Sequence, residues 1–282
     1  MKRAAILTYH PIHIIANTYA GNDLVALEAD LETLERLGIR VRSLAQLFSE
    51  PGSGHLLNDL PGPVVAITFD DGSMFDFVDR DHPACGPQRS AGTILAQHAA
   101  RHPGLSASAP LATTFVIASP AAREELDRRD YFGGGYWGDD WWREAAASGV
   151  LGIESHSWDH NHPSLERTLQ RDNARGTFRN IETVAEAEGE IAQSLAYIER
   201  RSGVAPRFFA YPWGESNAFL SGEYLPRRGV QLGLKAAFSS APMACGFVTE
   251  DCDRWRVPRF VCGHDWKSPG GLEDLLGGLL GS

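Results

Sequence analysis

Two aspartates stand side by side in Asp70-Asp71-Gly72, directly behind the apolar run Val64–Phe69. If that run is a strand, successive side chains leave it on opposite sides, so the two carboxylates cannot serve one purpose in one orientation. One can bind a cation while the turn at Gly72 swings the other toward a bound water. Capping of a following helix, or solvation at a turn, is the alternative use of such a pair. A second reactive element is His156 and His160. A helical turn would put both imidazoles on one face, about 5–6 Å apart at Cβ, which suits two nitrogens about 2.1 Å from one zinc ion. Two unrelated surface histidines would have the same spacing. Adding Asp71 gives two nitrogens and one carboxylate oxygen, a set that leaves positions for water and substrate, as a catalytic rather than a structural metal needs. The third element is Phe208-Phe209-Ala210-Tyr211-Pro212-Trp213-Gly214, where a turn closing a strand either packs or aims a backbone N–H at a developing oxyanion.

These residues need a scaffold that gathers them. Short β-rich runs at Ala4–Thr8, Val64–Phe69, Thr113–Ala118, Gly152–Ser155, Arg207–Tyr211, Ala236–Ser239 and Trp255–Val261 alternate with helical periodicity. Leu24, Leu27, Leu31, Leu34 and Leu37 mark a helix over Asp23–Gly38, and Ile181, Val184, Ile191, Leu195 and Ile198 mark another over Asn180–Gly203. The alternation predicts βαβ units and a largely parallel sheet, open or closed into a barrel. The reactive residues fall at the C-terminal ends of these strands, the face that carries the site in such folds. Residues 73–110 break the rhythm and read as a long loop insertion in which only Thr93–Arg101 is helical; Pro269–Ser282 reads as a short closing helix at most.

At 282 residues the chain is long enough for one α/β barrel without disulfide or metal staples, and residues 1–282 are read as a single catalytic domain. Lys+Arg 26 against Asp+Glu 36 leaves a net charge of −10, with no basic run beyond two residues. Nucleic acid and anionic membrane surfaces are therefore poor partners. Cys85, Cys245, Cys252 and Cys262 match no disulfide framework or zinc spacing and read as free buried thiols. The N-terminus turns polar too early for a signal peptide and no apolar run reaches the ~20 residues that span a bilayer, which predicts a cytoplasmic protein. Oligomeric state is left open.

Thr68-Phe69-Asp70-Asp71-Gly72, then His156-Ser157-Trp158-Asp159-His160, then Tyr211-Pro212-Trp213-Gly214 resembles the polysaccharide deacetylases of the NodB-homology group, carbohydrate esterase family four. The likeness runs from about Ala4 to His264, with Ala112-Thr113-Thr114-Phe115-Val116 similar to that family's third strand. Leu7-Thr8-Tyr9-His10 and Ala210-Tyr211-Pro212-Trp213-Gly214 resemble the branch acting on exopolysaccharide N-acetylglucosamine. The resemblance implies a distorted (β/α) barrel of about seven parallel strands and metal-dependent N- or O-deacetylation of sugars or glycans. It implies Asp71, His156 and His160 as ligands of a divalent metal: zinc first, with cobalt, nickel or iron as substitutes. Asp70 would be the general base, and the Trp213 backbone N–H part of an oxyanion hole.

The sequence also departs from the family pattern. Ala210 stands where many members carry an arginine that orients the catalytic aspartate; Arg259, ahead of Arg256, is the replacement expected from the last strand. The usual Leu-x-His segment with the general acid is missing. His264, behind Val261-Cys262-Gly263, and His10 are equal candidates for that role, with a substrate- or water-borne proton as the third option. His55, His82, His98, His102 and His162 read as surface residues. In Tyr131–Trp142, Trp141 or Trp142 is expected to pack inward and Trp137, amid glycines, to be the exposed ring of a glycan platform. Two rival functions remain: a cyclic-amide or small-metabolite amidohydrolase on the same scaffold, and a carbohydrate-binding protein without catalysis. The presence of all three presumed ligands and the presumed base counts against the second.

Overall fold

The computed structural model describes residues 2–59, 62–102, 110–240 and 246–280. Among them the strands are β1 Ala4–Tyr9, β2 Arg40–Val41, β3 Val64–Phe69, β4 Arg80–His82, β5 Gly86–Gln88, β6 Ala112–Val116, β7 Leu151–Ser155, β8 Phe208–Ala210, β9 Ala236–Ser239, β10 Val257–Pro258 and β11 Phe260–Val261. All but β4 and β5 join one sheet in the order β10-β9-β8-β7-β6-β3-β1-β11, with β2 paired to β3 at its side. Every pairing in this sheet is parallel.

The two outermost strands are neighbours in sequence, with only Arg259 between them. β10 pairs with β9 and β11 with β1, so one short segment spans both edges and closes the sheet on itself. Counted once, that segment makes a seven-stranded wall with β1, β3, β6, β7, β8 and β9, the near-closed (β/α) barrel that the resemblance implies. Pro258 has no N–H to donate and Arg259 donates its own to the Ser239 carbonyl at 3.1 Å, which is why the expected strand Trp255–Val261 is split in two.

Period-two alternation sorts the side chains. Ala4, Ile6, Val64, Ala66, Phe208, Ala210, Ala236 and Phe238 form one buried cluster with Phe115 and Val257, while Ala5, Leu7, Tyr9, Val65, Ile67 and Phe69 of the same strands pack outward with the helices. Thr8 and Thr68 stand in the next inner layer, their hydroxyls 2.9 Å apart. One more step along each strand brings His10, Asp70 and His156 to the inner rim at the C-terminal end of the barrel.

The helix over Asp23–Arg36 starts where the Asn22 side chain accepts the Leu24 N–H, and buries Leu24, Leu27, Leu31 and Leu34. The expected helix from Asn180 begins later, behind a capping box at Thr183 and Glu186, and widens into a π turn over Glu188–Ala192 before Gln193–Ser202. Within 73–110 the described residues hold the antiparallel β4–β5 hairpin and a helix Ala91–Arg101 capped by Ser90, more structure than a loop insertion. The closing helix runs over Pro269–Leu280. Trp141 and Trp142 are buried as expected, but Trp137 is buried too, at 6% exposure. Its ring packs on Tyr131 and its carbonyl accepts from Arg123 at 2.7 Å, so the glycines fold the chain over the ring instead of presenting it. Cys85, Cys252 and Cys262 are free thiols of intermediate burial; Cys245 lies outside the described residues. No helix among the described residues is long and apolar enough to cross a membrane.

Candidate active site

Asp70 ends the inward series of β3 and is buried. Asp71 leaves the strand with φ 76 and Gly72 follows with φ 77. This pair of left-handed residues cancels the alternation expected of adjacent aspartates, and both carboxylates meet the same imidazole. His156 Nε2 is 3.7 Å from Asp70 Oδ2 and 3.7 Å from Asp71 Oδ1. The turn is tight: a Cβ on Gly72 would fall 2.5 Å from Val116 Cγ1.

His156 and His160 meet, but not on a helix. They flank an irregular turn in which Ser157, His160 and Asn161 have φ of 71, 65 and 45. The His156 N–H donates to the Val116 carbonyl at 3.0 Å, the His160 N–H to Ser157 Oγ at 3.0 Å, and the Asp159 carboxylate accepts from the N–H groups of Asn161 and Leu169 at 2.9 and 2.5 Å. Behind Asp159, buried Glu190 from the π turn accepts from the Trp158 N–H and from Gln170. Among the described residues, five of the seven non-glycine positions with positive φ, Asp71, Ser157, His160, Asn161 and Trp213, sit on the turns around the site. Strained backbone of this kind gathers where function over-determines the structure.

His160 Nε2 is 3.6 Å from Asp71 Oδ1, and one ligand atom each from Asp71, His156 and His160 lies within 4.8 Å of the others. These separations are too long for hydrogen bonds. They approach the roughly 3.4 Å between neighbouring ligand atoms each about 2.1 Å from a tetrahedral cation. The Nδ1 of His156 faces the Ala210 carbonyl at 2.9 Å. That contact fixes the proton on Nδ1 and turns the Nε2 lone pair toward Asp71. His160 Nδ1 is buried without a partner. Burial, with His156, His162 and His10 nearby, holds the His160 ring well below its ordinary pKa, in the neutral form that ligates metals. The donor set fits a divalent metal of the zinc type.

Arg259 projects from the closing segment with no exposed surface, and its two terminal nitrogens each lie 2.7 Å from one oxygen of Asp70. Burial alone would raise Asp70, but Arg259, His156 and His10 bring it down to about 2, so it stays ionised. Arg256 is exposed. His10 is half-buried, its backbone N–H donating to the Asp23 carboxylate at 2.7 Å, and it lies close enough to influence both Asp70 and His160. The His264 side chain is 69% exposed, and its Nδ1 lies 3.0 Å from Asp265 Oδ1. Trp213 has φ 61; its ring stands edge-on to His160 at 4.7 Å and is 40% exposed, with Nε1 donating to the His160 carbonyl at 3.2 Å. His162 is half-buried against Trp213 at 5.8 Å, His82 is half-buried, His55 is exposed, and His98 is buried rather than at the surface.

Sequence reasoning missed Asp76, Asp159, Gln170 and Glu190. Asp76 is buried below the aspartate pair and accepts from the hydroxyls of Ser73 and Thr114. Burial pushes it up to about 8, with Asp71 and Asp70 adding to the effect. A glutamate beside Ile191, one turn from buried Ala187 and Ser194, was the available signal for Glu190, since a charge inside an apolar stripe needs a buried partner.

A closed parallel barrel carrying its polar cluster at the strand C-termini belongs to the α/β-barrel class in which one rim holds the chemistry. The model of the polysaccharide deacetylase family matches residues 58–225, more than half of the chain, and the chain belongs to that family. Removal of acetyl groups from sugar polymers is the activity this membership supports. The fold is similar to that of the Streptococcus pyogenes deacetylase PplD in complex with acetate, at 17% identity over 97% of this chain and 98% of that one, with a TM-score of 0.62. IcaB from Ammonifex degensii has 19% identity over 93% of this chain and 92% of its own, TM-score 0.57. The BpsB deacetylase domain from Bordetella bronchiseptica has 17% identity over 92% and 95%, TM-score 0.57. No protein of curated function matches by sequence.

Proposed function

We propose that this chain is a divalent-metal-dependent hydrolase that removes acetyl groups from N-acetylated sugars in a glycan. The observation that carries the reading is the gap bounded by Asp71 Oδ1, His156 Nε2 and His160 Nε2, directly beside a carboxylate clamped by a buried arginine. Asp71, His156 and His160 would hold the metal, which when bound supplies Lewis acidity at an acetyl carbonyl and a water of pKa about 7. Asp70 accepts a proton from the attacking water, and Arg259 keeps that carboxylate ionised and fixed in direction. The backbone N–H of Trp213 is the donor proposed for the developing oxyanion. His10 is preferred over the exposed His264 as the acid that protonates the leaving amine, because it lies within electrostatic reach of the cluster. The acetate bound in the PplD structure is the expected product of such a reaction.

The test is acetate release from N-acetylglucosamine oligomers by zinc-loaded protein. Asp70→Asn should keep its metal and lose about 10²–10⁴ in kcat, whereas Asp71→Ala should lose the metal itself. Full turnover by Asp70→Asn, or retained metal in Asp71→Ala, would reverse the division of labour. No acetate from any oligomer at full metal loading would remove the reading.

A further inference from the structure

A second group of metal-ligating side chains lies outside the barrel, on two helices that pack against each other, Asp23–Arg36 and Ala91–Arg101. Glu35 comes from the last turn of the first; His98 and the C-cap residue His102 come from the end of the second. One ligand atom from each of the three lies within 4.8 Å of the others. His102 Nδ1 is 2.9 Å from Glu35 Oε1, and the rings of His98 and His102 are 4.7 Å apart. The four-residue spacing of the histidines stacks them on one helix face. His98 is 4% exposed, whereas His102 and Glu35 are partly open, with side chains 27% and 39% exposed.

We propose that Glu35, His98 and His102 form a second divalent-cation site of zinc type that bridges the two helices, with water completing its coordination. Two imidazoles and a carboxylate are a zinc donor set, and small rotamer changes bring atoms within 4.8 Å to the roughly 3.4 Å spacing around a tetrahedral ion. The two helices connect parallel strands and so run against them, which puts their C-terminal ends at the barrel end opposite the acetyl-cleaving rim. Both helix ends carry the negative pole of a macrodipole, and a cation between them is favoured by both. Bound there, the ion clamps one helix to the other without touching the reaction. The competing reading is a plain His102–Glu35 ion pair over a tucked His98.

Metal counting separates the two. Protein stripped by chelator, loaded with Zn²⁺ and dialysed should retain two equivalents by mass spectrometry under native conditions. His102→Gln and Glu35→Gln, both at partly exposed positions, should each retain one and release acetate at the unaltered rate. The His156→Gln/His160→Gln protein should also retain one. In that background Zn²⁺ at about a hundredfold its dissociation constant should raise Tm by about 5 °C, a shift lost when His102→Gln is added. A single equivalent in the parent chain that vanishes with His156 and His160, or two equivalents surviving in His102→Gln, would overturn the proposal. A single equivalent lost with His102 but kept without His156 and His160 would uphold it while removing the metal from the reaction proposed above.

Discussion

Arg259 stands 189 residues from Asp70 in sequence and meets it through two bonds of 2.7 Å. Both are buried, so neither charge has bulk solvent as an alternative partner. Arg259→Met should destabilise the fold by about 3–5 kcal/mol, the usual result of orphaning one half of a buried pair, and should abolish acetate release in the folded fraction. Arg259→Lys keeps the charge but not the fork, and should regain stability more than activity. Chemical denaturation and kcat on the same samples check both; equal recovery of the two would deny Arg259 any role in aiming Asp70. At this scale much was legible. An alanine at the usual arginine position pointed to a replacement from the last strand, and the two histidines and paired aspartates named themselves by type. The orientation of Asp71 was not legible, because strand alternation cannot foresee φ 76 at the residue that leaves the strand. Nor was the burial of Trp137, where Arg123 from the helix Pro120–Asp130 reaches the carbonyl of a loop residue.

The turns that present these residues are held as tightly as the strands. Gly72 combines φ 77 with a gap that a methyl group would close to 2.5 Å from Val116. Gly72→Ala should therefore cost about 2–4 kcal/mol and reduce metal retention, measured by thermal unfolding and zinc content. Unchanged retention in the folded protein would mean that Asp71 does not depend on this turn. The histidine turn rests on the buried Asp159–Glu190 pair. Burial, reinforced by Asp159, pushes Glu190 from 4.5 up to about 8. Between those values the folded chain holds a proton that the unfolded chain has released, so this stabilisation is complete below about pH 4.5 and is lost as pH rises through about 8. Glu190→Gln should flatten that part of the Tm profile between pH 5 and 8; a profile identical to the parent's would show that the pair does not titrate there. The helix carrying Glu190 was legible from its apolar stripe, but the π turn that aims its carboxylate was not, since period alone does not distinguish one widened turn.

For the whole molecule, alternation of strand and helix was enough to read a parallel α/β fold with one functional rim. The hydrophobic runs at Val64–Phe69 and Ala236–Ser239 became strands with the expected bounds, because buried parallel strands carry their signal in a few contiguous residues. Closure was not visible in the same way. It depends on Val257–Val261 pairing with β9 on one side and β1 on the other, the second a contact between the two ends of the chain. That closure delivers Arg259 to the interior and draws the rims of β1, β3 and β7 around Asp70, Asp71, His156 and His160. A zinc-edge anomalous difference map from a metal-soaked crystal tests the arrangement most directly. The expected result is a strong peak about 2.1 Å from Asp71, His156 and His160, with Asp70 beside it and still paired to Arg259. Imidazoles with no peak between them at full zinc loading would contradict it.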